Sequence, residues 1–73
     1  MSFLTWVERQ EERKRVIKPI CGNKVFIAVA ANSEDGKPHT FEWYFTLSRE
    51  TGKVKGDYET AIATLSQKFG WTQ

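Results

Sequence analysis

The chain reads as a small α+β domain, ordered α-β-β-β-α around a three-stranded antiparallel sheet. Three observations lead to this class. Residues 40–47 alternate strictly, with Phe41, Trp43, Phe45 and Leu47 on one side and Thr40, Glu42, Tyr44 and Thr46 on the other, the period of a pleated strand. Residues 25–31 alternate in the same way, and the segment between the two runs contains Asp35-Gly36, a turn dipeptide. Further on, Tyr58, Ala61, Ile62, Leu65 and Phe69 fall at helical spacing on one continuous stripe. Each large apolar group on the Phe41 face is worth roughly 1.5–3 kcal/mol when buried. That face must therefore be the core, and the last helix is the element expected to cover it.

Taken in order, residues 2–17 are expected to form the first helix. Ser2 is placed to cap it, Thr5 with Glu8 has capping-box spacing, and Pro19 supplies a stop. Its centre, Glu8 to Arg15, carries no apolar stripe; Glu11–Arg15, Glu11–Lys14 and Glu12–Arg15 are spaced for intrahelical ion pairs. Residues 20–23 form a connector in which Gly22-Asn23 makes the turn. Strands are expected at residues 24–31 and 39–48, with Pro38 at the entry to the second. Arg49 to Gly52 is read as a turn, Gly52 being free to take positive φ. Residues 53–55 then make a short edge strand whose Lys53 and Lys55 guard it against pairing with another chain. Asp57 caps a helix over residues 57–69, with Gly70 at its C-terminal cap and Trp71 folding back on it.

At 73 residues with one cysteine, the chain is a single domain, residues 1–73, with no internal disulfide, and its stability must come from the core. Cys21 beside Gly22 reads as a small buried hydrophobe. The formal charge is +2, from 11 basic and 9 acidic residues, which excludes binding to nucleic acid by bulk charge alone. There is no basic n-region followed by an apolar h-region, and no apolar run near the ~20 residues that span a bilayer. A cytoplasmic protein without membrane contact is expected. No catalytic, metal-binding or phosphate-loop motif is present, so a non-enzymatic binding module without cofactor is expected. His39, the only histidine, has no partner evident in the sequence.

Two layouts are similar to this one. The α-β-β-β-α order, with Gly36-Lys37-Pro38-His39 followed by Phe41, resembles double-stranded-RNA-binding domains. That family is basic at the start of its last helix, where this chain has Asp57-Tyr58-Glu59-Thr60; the resemblance implies the layout and not the activity. Residues 43–69, with Thr51-Gly52-Lys53 before a short strand and a helix, are similar to the three-strands-plus-helix DNA-binding modules of phage integrases, again in layout.

The functional expectation rests on the second face of the sheet. Lys24, Phe26 and Ala28 share it with Glu42, Tyr44 and Thr46, and Lys53 and Lys55 join from the edge. Aromatic faces beside lysines form a stacking platform for nucleic acid; the same aromatics also serve as a landing site for the first helix. On that helix Arg9 and Arg13 share a ridge able to contact phosphates, although Glu8, Glu11 and Glu12 interleave with it. The nucleic-acid site is accordingly Arg9, Arg13, Lys24, Phe26, Tyr44, Lys53 and Lys55. The alternative is a protein-interaction or inhibitor module, as in compact phage-like proteins, using the first helix and Trp71. Phe3, Leu4 and Trp6 crowd one helix end, a cluster that a homodimer would bury.

Overall fold

The computed structural model describes residues 2–69. It confirms the α+β class and adds a strand: α1 (Phe3–Glu12), β1 (Val16–Ile20), β2 (Val25–Val29), β3 (His39–Phe45), β4 (Glu50–Gly56) and α2 (Tyr58–Lys68). The strands form one antiparallel meander in the order β1-β2-β3-β4. The expected Gly70 cap and Trp71 contact lie outside the described residues.

The added strand comes from an earlier helix end. Ser2 caps α1 as expected, its Oγ accepting from the Thr5 N–H at 3.2 Å, and Thr5 and Glu8 lie inside the helix rather than in a capping box. The helix stops at Glu12, not at residue 17, because Lys14 takes the left-handed conformation with φ 59°. The Lys14 N–H then donates to the Glu11 carbonyl at 2.9 Å and the Arg15 N–H to the Gln10 carbonyl at 3.1 Å. Those two bonds are the Schellman closure of a helix, with lysine where glycine is usual. The β-branched pair Val16 and Ile17 can therefore pair with β2, opposite Val29 and Ala28. β1 is an edge strand, the place in a sheet where Pro19 is tolerated.

The expected hairpin forms with the expected facing residues: Phe26 opposite Tyr44 and Ala28 opposite Glu42. Its strands are shorter than expected, β2 ending at Val29 and β3 at Phe45, so Leu47 leaves the core and is 72% exposed in the next turn. That turn sits at residues 46–49, with Arg49 at φ 60°, instead of at 49–52. Gly52 is correspondingly inside β4, opposite Trp43. A Cβ on Gly52 would collide with the Trp43 ring at Cζ2. The glycine is present because that ring sits against its backbone, not because of a turn.

α2 covers the first face of the sheet as expected. Val25, Ile27, Val29, Phe41 and Trp43 meet Ala61 and Leu65 in one buried cluster that also contains Cys21. Phe69 closes one end, stacked on Phe45 at 4.2 Å and edge-on to Trp43 at 5.2 Å between centroids. The helix is capped by Asp57, whose Oδ1 accepts from the Thr60 N–H at 2.7 Å.

Candidate nucleic-acid interface

The opposite face of the sheet decides which expected site residues stand together. α1 lies on it, and Trp6, Ala28 and Tyr44 form a second buried cluster with Phe3, Val7, Ile17 and Phe26 around it. Phe3 packs on Phe26 at 4.7 Å and on Tyr44 at 5.4 Å between centroids, and Trp6 on Tyr44 at 5.8 Å. Of the two roles open to Phe26 and Tyr44, the landing site is the one this arrangement occupies. Phe3 and Trp6 are thereby covered within one chain, and of the crowded helix end only Leu4 remains exposed, at 71%.

Beyond Ala28 the same face becomes polar. Glu42 is the next residue across the sheet from Ala28, and Lys53 is its neighbour on β4. Arg15 Nη1 donates to Glu42 Oε2 at 2.9 Å, and Arg13 Nη1 donates to the same oxygen. These contacts replace the intrahelical partners expected for Arg15, since the Schellman turn carries that residue off the helix and toward β3. The Gln10 side chain, fully buried, offers its Oε1 to Arg15 at 3.4 Å. Gln10 Nε2 and Trp6 Nε1 are the buried side-chain atoms without a hydrogen-bond partner among the described residues.

Lys55 stands opposite Thr40, two residues along the same face from Lys53. Arg9, one helical turn before Arg13, shares its helix edge and is exposed. The structure brings Arg13, the C-cap of α1, and Arg15 of the connector onto Glu42 at the border between helix and sheet, with Lys53 beside Glu42 on β4; Lys55 and Arg9 stand further along β4 and α1. Glu8 and Glu12, spaced i,i+4, occupy the adjacent helix ridge rather than the border. Lys24 does not join this group. It sits at the far end of β2, where its carbonyl accepts from the N–H and Oγ1 of Thr46, each at 2.9 Å. Arg15 belongs to the basic run Arg9, Arg13, Lys14, Arg15 and Lys18 but not to the site expected from the sequence, because its role depends on the helix ending before it.

Other charged groups are occupied structurally. Lys18 on β1 pairs with Glu34 and lies over the Tyr58 ring, 5.4 Å from its centroid; the hydrogen bond to Glu34 pushes its pKa above the ordinary lysine value. In the β2–β3 loop the Lys37 N–H donates to Asp35 Oδ1 at 2.8 Å, and His39 Nε2 lies 3.1 Å from the same oxygen. The Lys37 bond first, then His39, holds the Asp35 pKa below its ordinary value. His39 thus has a carboxylate partner that sequence spacing alone did not reveal. Asp57, likewise lowered by its bonds to Thr60, shares a cleft with Glu34, Gly36, Tyr58 and Glu59. Cys21 is buried, 3.9 Å from the Ser66 hydroxyl.

Among the described residues no cluster of three or more His, Cys, Asp or Glu side chains has metal-binding geometry. No helix there is long and apolar enough to cross a membrane. Comparison of the chain with protein-family models, curated proteins and solved structures finds no match.

Proposed function

We propose that this chain is a non-enzymatic module that binds nucleic acid through the phosphate backbone. The observation supporting this reading is the convergence of Arg13 and Arg15 on Glu42 beside Lys53. Three cations, Arg13, Arg15 and Lys53, stand about the Glu42 carboxylate, and Lys55 follows Lys53 on the same face of β4. Glu42 holds the two guanidinium groups in place before binding, so less side-chain entropy is lost when a phosphate arrives. Compared with the site expected from the sequence, Phe26 and Tyr44 act as scaffold under α1, Lys24 is peripheral, and Arg15 is added.

The test is a fluorescence-anisotropy titration of labelled oligonucleotides at about 50 and 200 mM salt, alongside a Lys53→Glu/Lys55→Glu variant. Each phosphate contact releases counterions, so affinity should fall steeply with salt, and loss of two contacts should lower the logarithmic salt slope by about 2. Absence of binding at low salt would reject the reading.

The competing reading, a protein-interaction or inhibitor module, draws support from Leu4. It stands 71% exposed on the outer side of α1. An apolar interface centred there would respond little to salt, so the same titration series, repeated with any protein partner, separates the two.

A further inference from the structure

Resting on the nucleic-acid reading, we infer that the ligand of the α1–β4 border is the phosphate backbone of a duplex rather than a single strand. Proteins that grip single strands supply exposed aromatic faces on which unpaired bases stack, in addition to cations along the backbone. Here every aromatic side chain among the described residues is buried or half-buried. The two aromatics on this face of the sheet, Phe26 and Tyr44, are covered by Phe3 and Trp6. The exposed side chains beside Glu42 on this face are cationic: Arg13 from the end of α1, and Lys53 and Lys55 from β4. In a duplex the bases are already stacked on one another, and the surface offered to such a border is phosphate.

The experiment compares duplex DNA, duplex RNA and the matching single strands, all of one length, by anisotropy at low salt. At least one duplex should bind about tenfold or more tightly than its own single strands, the distinction being sensitive to salt in the way backbone contacts are. The two duplex probes identify whether B-form or A-form geometry is preferred. A Phe26→Leu variant, with folding checked by circular dichroism, should retain that affinity, because Phe26 supports α1 and does not stack on bases. Single strands binding as well as or better than both duplexes would overturn the inference while leaving the backbone reading in place. A folded Phe26→Leu protein whose single-strand affinity falls while its duplex affinity holds would overturn it as well, since Phe26 would then be stacking on bases. If none of the probes binds, the underlying reading fails and the inference with it.

Discussion

The two faces of the sheet bury side chains of different character. Beneath α2, Val25, Ile27, Val29, Phe41 and Trp43 meet Ala61 and Leu65, an apolar layer that excludes water along the sheet. Beneath α1 the buried patch is smaller, built on Trp6, Ala28 and Tyr44. It gives way within one residue pair to Glu42 and its two arginines. Both buried side-chain atoms left without a partner among the described residues, Trp6 Nε1 and Gln10 Nε2, belong to α1. The first face is apolar across the sheet; the second is apolar beside Tyr44 and charged beside Glu42.

Truncation on the α2 face should separate the two most sharply. Phe41, 1% exposed and packed against Tyr58 and His39, should cost about 3–5 kcal/mol as Phe41→Ala. That is a large part of the roughly 5–15 kcal/mol available to a folded domain, and urea denaturation should show a protein close to unfolding. A variant that kept near-normal stability would mean that α2 is not the main cover of the sheet. Gly52→Ala tests the same face without removing an atom. The new methyl must displace the Trp43 indole, an overpacking cost of about 1–3 kcal/mol, and should blue- or red-shift Trp43 emission as its surroundings change.

Charge changes on the α1 face should do the reverse, leaving the fold nearly intact while altering binding. In Glu42→Gln the arginines lose a partially exposed ion pair, worth about 0–1 kcal/mol. The arginines are then no longer held in place before binding, so nucleic-acid affinity should fall. A rise in affinity would mean that Glu42 competes with phosphate for the arginines more than it positions them.

The smallest effect concerns pH and lies away from both clusters. Asp35 and Asp57 have pKa values lowered in the folded state. Their contribution to stability is present above the unfolded carboxylate value of 3.8 and is lost as pH falls through the lowered folded values. Asp57→Asn keeps a capping oxygen but cannot titrate. Stability at neutral pH should change little, and the decline in stability on acidification should become shallower. An unchanged acid limb would show that the cap contributes nothing through its charge.

Much of this architecture was legible in the sequence, and the parts that were not share a cause. The β2–β3 pairing followed from alternation alone, since a one-residue slip would have turned Phe41 and Trp43 to the wrong face. The caps at Ser2 and Asp57 followed from side chains that bond to their own backbone two or three residues away. The site was legible in part: Arg9, Arg13, Lys53 and Lys55 were identifiable as cations, but their juxtaposition was not. Phe26 and Tyr44 were identifiable as a pair on one face, and cover by the first helix was one of the two roles their position offered.

Residues 14–20 show where local reading stops. Their neighbours Glu, Arg and Lys favour helix by only a few tenths of a kcal/mol each. Pairing of Val16–Ile20 with β2 supplies an entire antiparallel ladder and half-buries Ile17 beside Ala28, a larger return that no window of neighbouring residues contains. Lys14 accepts a left-handed conformation to make that pairing reachable. Gly52 is similar: its neighbours Thr51 and Lys53 resemble a turn, and only the indole of Trp43 on the adjacent strand explains the bare backbone. Periodicity and capping, which act over a few residues, were settled within the chain's own order of amino acids. The fourth strand, the face covered by α1 and the gathering of Arg13, Arg15 and Lys53 around Glu42 were settled by partners far apart in sequence, because burial and strand pairing are rewarded only when those partners meet.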